Sequence, residues 1–365
     1  MTERKIFARA FFVGCLGVVI PSAFAAGPDG LPSHEGTVKA AVGIPRELFS
    51  RQQDLIDERR GKWLKDAELS TAAAQTAVQL SFIRRYRMKD GRTETNPGRC
   101  NPETDHAIGE PDNTVRLVRF TRKEGKDIAL VNFSTHPDTI AGTKLSADWP
   151  GFVRRYVEKD LGVCCILVNG AQGDTNHVDT SIPEKHTGYG HTAFMGRTIA
   201  DTVVKLWDAC EKHPEGKVFS EVEMVKTPSN RTGEDKLDYY LGILKDYEEN
   251  GTEYPLSQLG TAGRLRWLDI LPKELTVPVT VMGYSDVAFV GFGGEPFTEY
   301  ATRMRAAAPD TFVITVCCAN GQQGYLPVES AFAEGGYEAK SSRFTPALPE
   351  DVLSAAERML RKYCK

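Results

Sequence analysis

Apolar and polar positions along the chain alternate between patterns typical of strands and of helices. The predicted strands share short apolar or alternating runs bounded by turn residues: 115–120, 128–133, 163–168, 218–225, 275–282, 287–292 and 312–318. The predicted helices share apolar positions three or four residues apart: 46–64, 149–159, 192–212, 236–249, a stretch ending at Met304, and 349–363. This order predicts an α/β fold with mixed β-sheets flanked by helices.

Two of these strands run into the same kind of loop. The strands at 163–168 and 312–318 are followed by Asn-Gly-X-Gln-Gly sequences that begin at Asn169 and Asn320. Sites in open α/β sheets form at the carboxyl ends of strands. We therefore expect both loops at one sheet edge.

The first 25 residues follow the pattern of a signal peptide. Basic residues precede an apolar run over 11–20 and a small-residue step over 23–25. The alternative is the remnant of a domain whose start has been lost. The run is shorter than the ~20 residues of a membrane-spanning helix, so no transmembrane segment is expected. The signal peptide predicts an extracellular or periplasmic protein, and the alternative a cytoplasmic one.

Composition narrows the classes of partner. The 365 residues are 41% hydrophobic and 26% charged, with a net charge of -4, which is typical of a globular protein. Without a basic excess, nucleic acid is not an expected partner. Seven cysteines remain beyond Cys15, an odd and widely spread set that predicts no disulfide framework.

Four segments place metal-binding or acid–base side chains just after predicted strands. They contain His136, the pair Asp174 and His177, Glu295, and Tyr325. Imidazole and carboxylate groups are the usual zinc donors. Their long-range spacing does not define a site, because a histidine before proline is common in structural loops and Gly-Glu-Pro commonly starts a helix.

Two further histidines have a different expected role. His186 and His191 flank the segment 188–190 on a polar stretch. We expect them to be solvated or to cap a helix rather than to bind a metal.

The ordered motifs resemble the neutral/alkaline ceramidase family, in particular its short bacterial members. The similarity covers roughly residues 68–345 and includes the segment 81–91, Ser-Phe-Ile-Arg-Arg-Tyr-Arg-Met-Lys-Asp-Gly. The other matching segments are Phe-Ser-Thr-His-Pro at 133–137, Leu-Ser-Ala-Asp-Trp-Pro-Gly at 145–151, Asn-Gly-Ala-Gln-Gly-Asp at 169–174, Gly-Glu-Pro-Phe-Thr at 294–298, and Tyr325 followed by Gly-Gly-Tyr-Glu at 335–338.

This resemblance implies roles for individual residues. It implies that His136, Glu295 and Tyr325 bind zinc, that Tyr337 helps to hold the reacting group of the substrate, and that Arg84 lines the site. Zinc polarises a carbonyl or activates water, and Tyr and Arg side chains donate hydrogen bonds to a developing oxyanion.

The sequence departs from the family in two places. The family's other zinc histidine lies in an N-terminal His-Thr-His segment that is missing here; either His34 substitutes for it, or the chain lacks the first part of the domain. The family's serine position is held by Asn176, which cannot act as a hydroxyl nucleophile. Zinc-bound water is then the expected nucleophile, with Asp174 or His177 as the general base.

We therefore expect residues 26–67 to be a poorly defined N-terminal segment and residues 68–365 to be a single catalytic domain of the neutral ceramidase type. The predicted function is zinc-dependent hydrolysis of a small-molecule or lipid N-acyl amide, either ceramide-like or smaller. The alternative is a non-enzymatic or catalytically impaired binding protein with an incomplete metal site.

Overall fold

The structure, a computed structural model, describes residues 67–141, 145–268 and 270–364. The chain divides into two compact units, one made of residues 68–121 and 126–365, the other of 1–67 and 122–125. Except for residues 67 and 122–125, the fold set out below lies in the first unit. The predicted leader at 1–25 and the helix at 46–64 lie outside the described residues, and the domain boundary at residue 68 stays a prediction.

Strands and helices alternate along most of the described chain. The strands are β1 (Ala67–Gln75), β2 (Phe82–Ile83), β3 (Arg85–Met88), β4 (Thr93–Thr95), β5 (Thr104–Ala107), β6 (Thr114–Arg122), β7 (Ile128–Phe133), β8 (Cys164–Asn169), β9 (Thr175–Asn176), β10 (Glu211–Lys212), β11 (Val218–Pro228), β12 (Glu274–Tyr284), β13 (Val287–Phe292), β14 (Glu295–Pro296), β15 (Phe312–Val316) and β16 (Tyr325–Leu326). The helices are α1 (Asp148–Leu161), α2 (Tyr189–Trp207), a 3-10 turn (Glu234–Lys236), α3 (Leu237–Asn250), α4 (Leu256–Leu265), α5 (Thr298–Ala307), α6 (Glu329–Glu334), α7 (Tyr337–Ser341) and α8 (Leu348–Tyr363).

Two mixed sheets form the framework. The first has the strand order β10-β1-β6-β7-β8, in which β6 and β7 are an antiparallel hairpin and β8 is parallel to β7. The second has the order β11-β12-β13-β15, with only the β13–β15 pair parallel. Helices α1 and α2 pack together beside the first sheet, and α5 and α8 pack on the second. The predicted α/β class with mixed sheets flanked by helices is confirmed.

Each sheet has its own apolar core. Helix α8 buries an apolar face that includes Val352, Leu353 and Leu360, and this face packs with the buried valines of β12. Trp149 of α1 is fully buried against Phe133 of β7, with their rings in an edge contact at 5.7 Å. Burying such side chains stabilises the fold by about 1.5–3 kcal/mol each.

Asn132 joins the two sheets. Its side chain is 2% exposed, and its Nδ2 donates to the carbonyl oxygens of Val168 in β8 and Thr315 in β15, both at 3.1 Å. The N–H of Cys317 also donates to the carbonyl of Asn169 at 3.0 Å. The two glycine-rich loops therefore start side by side, but from neighbouring sheets, so the expectation of one shared sheet edge is wrong.

Some sequence predictions need adjustment. The helix predicted at 192–212 starts at Tyr189 and ends at Trp207, because residues 211–212 form β10 on the edge of the first sheet. The cysteines from Cys100 to Cys364 are free thiols. No helix among the described residues is long and apolar enough to cross a membrane.

Candidate functional site

Two short strands bring together residues that lie far apart in sequence. Strand β14 pairs in parallel with β16, in a register that sets Glu295 opposite Tyr325. The backbone N–H of Glu295 donates to the carbonyl of Gly324 at 2.9 Å. His136 approaches from the loop that follows β7. The three residues for which the sequence predicts metal binding thus lie in one cluster.

His136 and Glu295 are in direct contact. Nε2 of His136 is 2.9 Å from Oε2 of Glu295, and Nδ1 of His136 is 2.8 Å from the carbonyl oxygen of Thr175. A carbonyl can only accept, so Nδ1 carries the hydrogen and Nε2 of the neutral ring has a lone pair. Two acceptor atoms at this separation require a proton between them or a cation bound to both. Either arrangement places a positive charge between His136 Nε2 and Glu295 Oε2.

The second oxygen of Glu295 is held by a glutamine. Nε2 of Gln322 donates to Oε1 of Glu295 at 2.5 Å, and Glu295 is 8% exposed. Burial acts to raise the pKa of this carboxyl, but hydrogen bonds with His136 and Gln322 and the charge of Arg84 hold it below its usual value. Glu295 is therefore an anion at neutral pH, as a metal ligand must be.

Tyr325 lies between the His136–Glu295 pair and Arg84. Its ring centroid is 6.1 Å from that of His136, and the guanidinium carbon of Arg84 is 5.1 Å from the Tyr325 centroid. The Arg84 guanidinium and the Tyr325 phenol also interact electrostatically. Burial raises the pKa of the Tyr325 phenol, and the charge of Arg84 acts in the opposite direction.

Arg84 is fixed on two sides. Its Nε donates to Oε1 of Glu338 at 2.7 Å, and its Nη2 donates to the carbonyl of Gly173 at 3.0 Å. Burial acts to lower the pKa of Arg84, but Glu338 and Tyr325 raise it, so the guanidinium stays charged. A Cβ at position 173 would lie 2.4 Å from the carbonyl oxygen of Glu295, so only glycine fits the loop so close to β14.

Tyr337 completes this side of the cluster. It is the first residue of α7, and its ring meets that of Tyr325 edge-on, with centroids 5.6 Å apart. The two phenols also interact electrostatically. The structure therefore brings Tyr337 and Arg84 together around Tyr325.

Asn176 and Asp174 are both held by the protein. Nδ2 of Asn176 donates to Oδ1 of Asn96 at 3.0 Å, and its Oδ1 accepts the N–H of Val178 at 3.0 Å. Oδ1 of Asp174 accepts the N–H and the hydroxyl of Thr298, the first residue of α5, at 2.8 and 2.7 Å. Burial raises the pKa of Asp174. These contacts favour structural roles for both side chains, and their predicted catalytic roles stay predictions.

His177 has a different environment from its neighbour Asn176. It is 3% exposed, and its Nδ1 is 2.8 Å from Oδ1 of Asp138. Desolvation acts to raise the pKa of Asp138, but His177, His136 and Arg84 together hold it below its usual value. Asp138 thus interacts with His136 and Arg84 as well as with His177. His177 is thus connected through the Asp138 carboxylate to the cluster of His136, Glu295 and Tyr325.

The donor types in the cluster fit a zinc ion. Imidazole, carboxylate and phenol oxygen are offered by His136, Glu295 and Tyr325, and the contact of His136 with the Thr175 carbonyl is the kind of outer hydrogen bond that orients a ligating histidine. Within the ranges that the structure describes, no group of three or more His, Cys, Asp and Glu side chains is arranged to hold a metal ion. His34, the predicted substitute ligand, lies outside the described residues.

Sequence reasoning missed three supporting residues. Glu338 pairs with Arg84, Gln322 donates to Glu295, and Asp138 contacts His177. The only available signals were the repeated Asn-Gly-X-Gln-Gly loop, which contains Gln322, and the position of Asp138 two residues after His136.

The fold is similar to that of solved ceramidase structures. One is neutral ceramidase from Pseudomonas aeruginosa, with a TM-score of 0.56 and 15% sequence identity, covering 84% of this chain and 54% of that one. Another, a ceramidase complexed with C2, has a TM-score of 0.56, 13% identity and the same coverage. This chain thus spans about half the length of each. No protein-family model and no curated protein matches the sequence. At these identities the likeness shows the fold alone.

Proposed function

We propose that this protein is a zinc-dependent amidohydrolase, similar in reaction to neutral ceramidase, that cleaves the amide bond of an N-acyl compound. The observation that carries the proposal is the convergence of His136, Glu295, Tyr325, Arg84 and Tyr337 in one cluster, in which Arg84 and Glu295 are buried and the other three are half-buried. The likeness in fold to proteins named as ceramidases supports it.

His136, Glu295 and Tyr325 would hold the zinc ion. A bound zinc ion polarises the scissile carbonyl and lowers the pKa of water at the site to about 7. The approach of His136 Nε2 to Glu295 Oε2 at 2.9 Å supports this assignment, because a cation satisfies both lone pairs at once.

Arg84 and Tyr337 stabilise the charge that develops on the substrate. As the carbonyl carbon becomes tetrahedral, its oxygen gains negative charge, and preorganised N–H and O–H donors stabilise that charge more than that of the starting amide. Glu338 and the Gly173 carbonyl hold Arg84 in place, so the guanidinium does not have to reorganise during the reaction.

Water is the proposed nucleophile, and His177 is the favoured base. The amide group of Asn176 is not a nucleophile, and both of its ends are already hydrogen-bonded. In the overall reaction water gives one proton to the base, its oxygen bonds to the carbonyl carbon, the C–N bond breaks, and the leaving nitrogen takes the proton. Asp138 fixes the orientation of His177. The alternative base, Asp174, already accepts hydrogen bonds from Thr298, and no such partner among the described residues orients it toward a substrate.

A panel of N-acyl amides and esters, assayed with added zinc, tests the proposal. We expect hydrolysis of at least one N-acyl amide, with kcat/KM lowered roughly 100-fold in Tyr337→Phe, since one oxyanion donor is lost. Tyr239→Phe, which changes an exposed phenol on α3, is the matched control and should retain full activity.

Two results would contradict the proposal. One is equal activity of Tyr337→Phe and the wild-type protein. The other is saturable binding of an N-acyl amide without any turnover in the presence of zinc, which would support the alternative of a non-enzymatic binding protein.

A further inference from the structure

Helix α4 contributes no side chain to the candidate site, but it packs directly against α7, the short helix that begins with Tyr337. Gly260 and Arg264 lie four residues apart on α4, and both are buried. Residues at this spacing lie on the same face of a helix. The contacts of both residues show that this face is turned toward α7.

Gly260 lies against the ring of Tyr337. A Cβ at position 260 would be 3.1 Å from Cδ2 and 3.3 Å from Cε2 of Tyr337, and 3.1 Å from Cβ of Ser341. These distances are shorter than ordinary van der Waals contacts, so a side chain here would displace its neighbours by a few tenths of an ångström. Glycine destabilises a helix interior relative to alanine, and the close approach of the Tyr337 ring accounts for its presence at this position.

Arg264 fastens α4 to α7 and to the loop that follows β11. Its Nε donates to the carbonyl oxygen of Lys340 at 3.1 Å, and its Nη1 and Nη2 donate to the carbonyls of Asn230 and Thr232 at 2.5 and 2.7 Å. Arg264 is 6% exposed, and burial lowers its pKa to about 10. The three carbonyl dipoles therefore stabilise a buried cation, and a movement of α4 away from α7 would break the bond to Lys340.

Helix α7 is also held on the side away from α4. The N–H of Tyr337 donates to Oγ1 of Thr95 at 3.3 Å, and Glu338 pairs with Arg84. The Tyr337 side chain is half-buried, so its ring has space on one side. Because the backbones of both helices are fixed, the ring of Tyr337 is the part that moves when the room beside it is reduced.

We propose that α4 positions Tyr337, with Gly260 leaving room for the ring and Arg264 holding the two helices at a fixed separation. Resting on the proposed function, this packing sets the place of the Tyr337 hydroxyl relative to the oxygen of the scissile carbonyl. Gly260 and Arg264 are positioning residues, since both are buried and act through Tyr337. A catalytic donor has to be held to within about 0.5 Å of its productive position.

Steady-state kinetics of Gly260→Ala and Gly263→Ala test this role, with zinc and the N-acyl amide that the wild-type protein hydrolyses fastest. Gly263 is the matched control, because it lies on the same helix and a Cβ there would meet nothing within 4 Å. Gly260→Ala should lower kcat about tenfold and leave KM unchanged, since a displaced Tyr337 stabilises the transition state less well. Gly263→Ala should keep the wild-type kcat and KM. Equal kcat in the two variants would overturn the proposal.

Urea unfolding of the same two variants reports on the contact without any activity. Alanine favours the helix at both positions, so Gly263→Ala should raise the urea midpoint. Gly260→Ala should raise it less or lower it, because the new methyl group meets the Tyr337 ring. When Tyr337→Ala is added to both variants, this difference in midpoint should shrink. A difference that stays the same would show that the ring is not what the methyl group meets, and would overturn the proposal.

Arg264→Lys tests the second contact. Lysine keeps the charge but lacks the planar fork that reaches carbonyls on several sides, so we expect a lower kcat at unchanged KM. Arg266→Lys, at an exposed arginine two residues further on, is the matched control and should keep the wild-type kcat. Unchanged kcat in Arg264→Lys would overturn the role of Arg264.

Failure of the proposed function gives a different result from failure of this inference. If the wild-type protein hydrolyses no N-acyl amide in the presence of zinc, the proposed reaction is removed. The urea comparison then decides the position of Tyr337 by itself. A shrinking difference in midpoint supports the role of α4, and a persistent one overturns it.

Discussion

Replacing Glu338 by glutamine tests whether Arg84 is held by a buried ion pair. The Glu338 side chain is 0% exposed and that of Arg84 is 6% exposed, and the two are joined at 2.7 Å. Removing one partner of a buried pair typically costs roughly 3–5 kcal/mol, out of a total stability of about 5–15 kcal/mol. Because glutamine keeps the volume and can still accept from the Thr95 hydroxyl, we expect the lower end, about 3 kcal/mol.

Urea unfolding followed by circular dichroism at neutral pH measures this change in the free energy of unfolding. Glu350→Gln is the matched control, because Glu350 pairs with Arg303 at 2.9 Å but is 63% exposed. An exposed pair contributes about 0–1 kcal/mol, so the control should unfold almost as the wild-type protein does. A Glu338→Gln loss below about 1 kcal/mol, or one equal to the control, would show that the buried ion pair does not hold Arg84 in place.

Two further predictions concern ion pairing and the joint between the sheets. Burial acts to raise the pKa of Asp112, but Arg116 at 2.9 Å and Arg305 at 3.3 Å lower it below its usual value. The ionised Asp112 carboxylate therefore stabilises the fold fully above its unfolded pKa of about 4. This stabilisation is lost as the pH falls through the lower pKa of the folded state. Asp112→Asn should therefore flatten the fall in urea midpoint below about pH 4, and an unchanged slope would contradict this. Asn132→Leu removes the two hydrogen bonds that the Asn132 side chain donates, one to β8 and one to β15, and should lower the free energy of unfolding by roughly 1–3 kcal/mol in the same urea assay. An unchanged midpoint would show that this joint between the sheets is dispensable.

Much of the fold could be predicted from the sequence, because its main elements have strong periodicity. The strand predicted at 287–292 has the same bounds in the structure, and the helix predicted at 349–363 differs by one residue. The pairs β2–β9 and β14–β16 could not be predicted, because strands of two residues have no periodicity and depend on long-range contacts.

The candidate site, like the fold, could be predicted only in part from the sequence. The resemblance in motifs indicated His136, Glu295 and Tyr325, and the structure does place them together. The support of Arg84 by Glu338 joins residues 254 positions apart and leaves no local trace in the sequence. Side chains that act through such distant partners can be found only once the chain is folded.

The zinc content of the purified protein shows whether His136 and Glu295 bind a metal ion. The purified chain is dialysed to equilibrium against zinc, and bound metal is measured by mass spectrometry for the wild-type protein, His136→Ala, Glu295→Ala and the exposed-site control His106→Ala. We expect about one zinc ion per chain in the wild-type protein and the control, and loss of zinc in the other two variants. No bound zinc in the wild-type protein, or zinc retained in both His136→Ala and Glu295→Ala, would contradict it.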